Sequence, residues 1–136
     1  MLDFVMSVLM ELNKIIIRES EELQIIYLRE VKGERRFPIV IGTEVAAAID
    51  RRLKGHVAMR PMTHDLLADA ITQLGGVVES IDIVDLQDHT YIARIILQQN
   101  GKRIELDSRP SVAIAVGIAG NVPIYVAEHV LAAAME

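Results

Sequence analysis

The sequence contains no cysteine, and aromatic residues make up only 4% of it. The absence of cysteine excludes disulfide bonds and cysteine-based metal sites. It is compatible with a reducing compartment, and we expect a cytoplasmic protein. Because aromatic side chains are so few, the core is expected to consist of Ile, Val, Leu, Ala and Met.

Long apolar runs are also missing. The sequence has no stretch of about eighteen apolar residues, which is the length that a membrane-spanning helix needs. Residues 1–12 include Asp3 and Glu11, have no basic residue before Lys14 and show no small-residue cleavage pattern. We therefore expect neither a membrane span nor a secretory signal.

An excess of basic residues is absent as well, since 14 Lys and Arg stand against 19 Asp and Glu and the net charge is −5. Proteins that grip long nucleic acids usually present a basic face, because neutralised phosphates supply most of the affinity. The composition therefore disfavours a sequence-specific nucleic-acid binder. Basic residues do concentrate in segments 29–36 and 51–60, which leaves room for a local basic patch.

The 136 residues fit one domain, 1–136, and 51% of them are hydrophobic. This apolar fraction is slightly above the usual range. Either the core is generous, or a second copy of the chain covers apolar surface. Both explanations stay open, and we expect a homo-oligomer, either a dimer or a trimer.

The order of the predicted elements places the chain in the α+β class. Alternating apolar residues and turn signals predict strands, and Asn100-Gly101 is a strong hairpin signal. Helical spacing and start signals predict the helices. The predicted strands are 10–18, 23–30, 36–41, 77–86, 90–98, 103–107 and a short 123–126; the helices begin near Thr43, Thr63, Pro110 and Glu128.

An internal duplication is indicated by the repeated order of these elements. Three strands and two helices occur in residues 10–76 and again in 77–135, and residues 42–49 align with 109–116 without gaps. We predict two β3α2 units that form one curved, barrel-like mixed or antiparallel sheet, with helices packed around it.

The first segment that carries chemistry is Arg-Pro-Met-Thr-His-Asp, residues 60–65. Free amides at a helix start near Thr63 favour an anion, and Arg60 offers a planar donor for phosphate. His64 suits a general acid or base, and Asp65 suits a metal ligand or a group that orients the histidine. The alternative is structural, with Thr63 as a cap, Asp65 stabilising the helix start and Arg60 in an ion pair.

The second segment, Asp-Ser-Arg-Pro-Ser at residues 107–111, repeats this pattern before another helix. If a pseudo-twofold axis relates the halves, both helix starts face one cleft. The structural alternative is an Asp107–Arg109 pair with a serine cap. A third segment, residues 85–90, offers Asp88 and its neighbours as oxygen ligands for Mg²⁺ or Mn²⁺, although such residues are also favoured in turns.

Together these segments resemble the bifunctional nuclease domain family. The resemblance is carried by residues 37–42, 60–66, 85–91, 107–111 and 123–126 and spans about residues 10–131. It implies an α+β fold with an internal β3α2 duplication around a barrel-like sheet, and DNase and RNase activity. The family usually has an acidic residue directly after Arg-Pro-Ser, where this sequence has Val112.

The function expected from this resemblance is divalent-metal-assisted hydrolysis of phosphodiester bonds in DNA or RNA. The alternative is a non-enzymatic oligomeric module with a binding or regulatory role. For the nuclease, the residues assigned to catalysis are His64, Asp65, Asp107 and Arg109; those assigned to the substrate are Arg60, Thr63 and Ser111; and those assigned to Mg²⁺ or Mn²⁺ are Asp88 and Asp107.

Overall fold

The computed structural model describes residues 6–18, 20–56 and 58–134, and within them it confirms the α+β class. Seven strands form one mixed sheet, and four helices accompany it. The strands are β1 Ser7–Ile16, β2 Leu23–Glu30, β3 Arg36–Gly42, β4 Val77–Gln87, β5 Thr90–Gln99, β6 Lys102–Ser108 and β7 Ile124–Ala127. The helices are α1 Thr43–Leu53, α2 Thr63–Gln73, α3 Pro110–Ile118 and α4 Glu128–Ala134.

The sheet has the order β3-β2-β1-β7-β4-β5-β6. Strands β1 to β3 form one antiparallel unit, and β4 to β6 form another. Strand β7 joins the two units, because Ile124 pairs with Met10 in antiparallel β1 and with Ile81 in parallel β4. The short strand predicted at 123–126 is therefore central.

Strands β3 and β6 are the two edges of the sheet, so the described sheet is open. The barrel-like closure expected from the sequence is not confirmed. The two antiparallel three-stranded units agree with the predicted element order, but the duplication itself stays a prediction, as do the single domain and its halves.

Two tight hairpins shape the β4–β5–β6 unit. Asn100 and Gly101 both have positive φ, 51° and 76°, which confirms the predicted Asn-Gly turn. The β4–β5 turn has the same form, but Asp88 and His89 occupy it with φ of 49° and 65°. Because a side chain disfavours this left-handed conformation, His89 carries a local strain that Gly101 avoids at the equivalent position.

The core is aliphatic, as expected, and lies between one face of the sheet and the helices. Strand β3 shows the alternation clearly, since Phe37, Ile39 and Ile41 are buried while their neighbours are exposed. Helix α3 approaches β4 closely at Gly117, where an added Cβ would lie 2.8 Å from Ile81. This close packing fixes α3 against the sheet, and α1 and α2 in turn contact α3.

One arginine ties the β2–β3 turn to the start of α4. The Arg35 guanidinium lies 2.6 Å from a carboxylate oxygen of Glu30 and 2.6 Å from one of Glu128. Hydrogen bonds from Arg35 hold the pKa of both carboxyls below their ordinary value, and the two carboxylates raise the pKa of Arg35. This cluster joins residues far apart in the chain at the edge of the core.

Candidate active site

A half-open cleft of about 350 Å³ lies where the end of α1 meets the start of α2. Its walls combine charged, imidazole and apolar side chains. The lining residues are Ala48, Arg51, Arg52, His56, Ala58, Met59, Pro61, Met62, His64, Asp65 and Asp69.

Local helix chemistry positions the charged groups of this cleft. Arg51 and Arg52 belong to the last turn of α1, where cations interact favourably with the negative end of the helix dipole. Gly55, with φ of 76°, lets the chain turn directly after the helix. On the other side, Asp65 and Asp69 are one turn apart on α2 and both line the cleft.

Asp65 is the centre of the polar contacts in the cleft. One of its oxygens accepts a hydrogen bond from the Met62 backbone N–H at 2.9 Å, which satisfies a free amide at the start of α2. The other lies 3.3 Å from Arg52 Nη2 and 3.5 Å from His64 Nε2. Asp65 therefore stabilises the helix start, holds Arg52 and lies beside the imidazole.

Arg51 has a different environment. Its guanidinium donates to Sδ of Met62, a neutral and weak acceptor. That contact orients the side chain, and among the described residues Arg51 forms no ion pair. In the cleft, the Arg51 guanidinium contacts a thioether and the neighbouring Arg52 guanidinium contacts a carboxylate. His56 and His64 line the same cleft.

Only two of the residues predicted for the site are brought together in this cleft, namely His64 and Asp65. Arg60 and Thr63 are exposed neighbours of lining residues in the chain but do not line the cleft themselves. Met62 rather than Thr63 is the N-cap of α2.

The segment 107–111 lies apart from the residues that line the cleft. Arg109 is the exposed N-cap of α3, and its carbonyl accepts hydrogen bonds from Ala113 N–H and from the Ser108 hydroxyl. Ser111 follows in the first turn of α3 and is half-buried. The two helix starts therefore do not line a common cleft in this chain.

The two carboxylates predicted as metal ligands occupy different places. Asp88 is exposed in the β4–β5 turn, and Asp107 is exposed on β6 opposite Arg94. Within the described ranges, no three His, Asp or Glu side chains are grouped closely enough to hold a metal ion by themselves. The assignment of Asp88 and Asp107 to a metal stays a prediction.

Asp107 does not line the second groove of this chain, although it pairs in register with Arg94, which does. Asp82, Arg94 and Asp107 are direct neighbours across β4, β5 and β6. This groove, of about 760 Å³, includes Asp82, Arg94 and Glu105 among its lining residues. Arg94 forms an ion pair with Glu105 at 3.2 Å, so that its charge is compensated within the sheet.

Sequence reasoning did not assign Arg51, Arg52, His56 or Asp69 to the site. The concentration of basic residues in 51–60 was visible, and so was the four-residue spacing of Asp65 and Asp69 on a predicted helix. The missing information was the packing of α1 and α2 on the same helix, α3, which brings the two segments together.

The comparison with protein families supports the expected resemblance. A family model described as bifunctional nuclease domain matches residues 26–136. Two proteins of Mycobacterium tuberculosis strains, the uncharacterized proteins MT1877 and Rv1829, are each 41% identical over 118 residues. These matches cover 87% of this chain and 70% of each relative. In the described part of the chain, no helix has the length and apolar character that a membrane crossing requires.

Proposed function

The chain belongs to the bifunctional nuclease domain family, and we propose that it hydrolyses phosphodiester bonds of nucleic acid in the cleft between α1 and α2. The observation that carries this proposal is the juxtaposition of Arg51, Arg52 and His64 in one half-open cleft. These are the groups that phosphoryl transfer requires, namely cations for the phosphate and an imidazole for the proton.

Phosphate binding is assigned to the two arginines. A guanidinium presents planar donors that match phosphate oxygens. Arg51, which forms no ion pair among the described residues, is the stronger attractor of the pair. Arg52 is already oriented by Asp65. The first-turn amides of α2 add further donors at the helix start, whose partial positive charge favours an anion.

Proton transfer is assigned to His64. Water attacks phosphorus, the P–O bond to the leaving sugar oxygen breaks, and a proton must leave the water while another reaches the leaving oxygen. His64 lies 3.5 Å from Asp65, whose carboxylate is placed to orient the imidazole. His56, which also lines the cleft, is available as a second proton carrier.

Mg²⁺ or Mn²⁺ remains part of the proposal, with Asp65 and Asp69 as its protein ligands. Mg²⁺ is usually bound by one or two carboxylates together with substrate phosphates, so this pair on one face of α2 fits the donor set. When bound, the ion would supply charge stabilisation on the phosphoryl oxygens. Asp88 and Asp107 are not used here because they lie away from the cleft.

The test is an assay of purified protein on single-stranded DNA and RNA, with Mg²⁺ or Mn²⁺ and with a chelator. His64→Ala is expected to lower the rate by about 100-fold or more, because general acid–base catalysis contributes that much. His129→Ala, which changes an exposed histidine outside the cleft, is the matched control. Wild-type protein that cleaves neither substrate, or a rate that His64→Ala leaves unchanged, would contradict the proposal.

A non-enzymatic binding module is the second candidate. It is favoured by the contacts of Asp65, which fully account for that residue as a helix cap and ion-pair partner. In that case the arginines bind an anionic partner without turnover. Saturable binding of a non-cleaved oligonucleotide, lost in Arg51→Ala, together with no product in the assay above, would support this function.

A further inference from the structure

Helix α2 presents an apolar face to solvent. Residues 66, 67, 70, 71 and 74 form an apolar stripe at helical spacing, and the structure fully buries only Ile71 of these. Leu66 and Leu74 are 60% and 74% exposed, and Leu67 is 36% exposed. Val77, just beyond the helix, is 63% exposed and extends the apolar surface.

The exposed stripe is symmetric about its midpoint. Leu66 and the half-buried Ala70 of α2 and Leu74 at its C-cap follow at intervals of four residues, and therefore share one face over about 12 Å. The large side chains stand at the two ends and the small one stands in the middle. None of the three carries a charge, whereas the acidic Asp65 and Asp69 line the cleft on another side of the helix.

We propose that this face binds a second copy of the same chain, with the two α2 helices antiparallel across a twofold axis near Ala70. A twofold contact requires a surface that is complementary to itself, and this stripe meets the requirement because Leu66 of one copy faces Leu74 of the other. The small Ala70 lets the helices approach at the crossing point. Binding to a different protein would not require a surface that is complementary to itself.

The proposed dimer buries apolar surface that is exposed to water in the monomer. Monomeric proteins rarely expose large contiguous apolar patches, and leucines repeated along one helix form such a patch, unlike single exposed residues. The antiparallel arrangement also places the helix dipoles in opposite directions. It agrees with the second explanation for the aliphatic composition, in which another copy covers apolar surface.

This contact has a consequence for the cleft. Helix α2, which carries Leu66 and ends directly before Leu74, also carries His64 and Asp65, so association fixes the helix that forms one wall of the cleft. Two clefts then lie on either side of one twofold axis. The inference does not depend on nuclease activity, because a binding module would be assembled in the same way.

The first test measures the mass of the full chain by light scattering at high micromolar concentration. Wild-type protein is expected at twice the chain mass of 15.1 kDa, and Leu74→Lys is expected at the chain mass. Val40→Lys, at an exposed apolar position on the edge strand β3, is the control and should stay dimeric. Wild-type protein that stays monomeric overturns the proposal, and so does a dimer that Leu74→Lys leaves intact.

The second test uses the absence of native cysteine. Helices packed about 10 Å apart, with a Cα radius near 2.3 Å, bring facing Cα atoms to about 5.4 Å, which suits a disulfide. On mild oxidation, in which the oxidant takes two electrons from two thiols, Ala70→Cys is expected to form a covalent dimer. Thr72→Cys, on another side of the same helix, should not. Equal cross-linking of both variants, or none with Ala70→Cys, rejects this interface even if Leu74→Lys is unfolded.

Discussion

The Nη2 atom of Arg52 lies 3.3 Å from Oδ1 of Asp65, and this ion pair ties the last turn of α1 to the first turn of α2. The same carboxylate accepts a hydrogen bond from the Met62 backbone N–H. The Asp65 side chain therefore both caps the start of α2 and forms part of the cleft wall. The geometry of the cleft therefore depends on Asp65 before any substrate is present.

Asp65→Ala is expected to lower the free energy of unfolding by about 1 kcal/mol, because loss of a helix-start acceptor usually costs that much. The partly exposed ion pair adds little to this value. Urea denaturation measures the effect. Asp69→Ala, on the same face of α2, is the control and should change stability much less; equal effects of both variants would show that the Met62 and Arg52 contacts contribute nothing.

Local chemistry explains why most elements could be predicted from the sequence. The Asn100-Gly101 turn, the helix starts at Thr63 and Pro110 and the alternation in β3 all rest on neighbouring residues. The central position of β7 could not be read in this way, since Ile124 pairs with residues more than 40 positions away. Pairing across such separations depends on the whole sheet.

The candidate site was predicted in part for the same reason. His64 and Asp65 are adjacent in the sequence, and the helix-start pattern of residues 60–65 identifies their segment as a candidate site. Arg51 is eleven residues before Met62, and the two come into contact because α1 and α2 both pack on α3. The apolar pattern of α2 predicts a helix but not what covers it, because Leu66 and Leu74 have helical spacing whether a core or another chain covers them.

The β4–β5 turn offers a test of local strain. His89 has φ of 65°, and His89→Gly is expected to raise the free energy of unfolding by about 1 kcal/mol, because glycine adopts this conformation without a Cβ clash. Thermal or urea denaturation measures the change. Gly101→Ala, at φ of 76° in the equivalent β5–β6 turn, is the reciprocal control and should destabilise; a neutral or destabilising His89→Gly would refute this account of the turn.

The Arg35 cluster makes stability depend on pH in the acidic range. Hydrogen bonds from Arg35 lower the pKa of Glu30 and Glu128 below the ordinary 4.5, so the unfolded chain takes up these protons at a higher pH than the folded chain. The stabilisation is complete above that ordinary value and is lost as the pH falls through the folded-state pKa values.

Arg35→Met is therefore expected to reduce the loss of melting temperature between neutral pH and about pH 3, because the carboxyls no longer titrate below their ordinary pKa. Its melting temperature at neutral pH should be lower than that of the wild type. Arg36→Met, which removes the adjacent exposed arginine, is the matched control and should keep the wild-type pH dependence. If the melting temperatures of Arg35→Met and the wild type fall in parallel as the pH is lowered, the Arg35 cluster is not the cause of the pH dependence.

Arg51 provides the sharpest distinction between a binding cleft and a structural one. Its described hydrogen bond goes to a neutral thioether, so Arg51→Ala removes a cation without leaving a buried carboxylate unpaired. We expect stability to change by less than about 1 kcal/mol, while oligonucleotide affinity falls by about tenfold, the value of one charge-assisted hydrogen bond. Arg36→Ala, an exposed arginine on β3, should leave affinity unchanged at fixed salt concentration. Equal losses in both variants would mean that only overall charge matters, and binding would then not be specific to the cleft between α1 and α2.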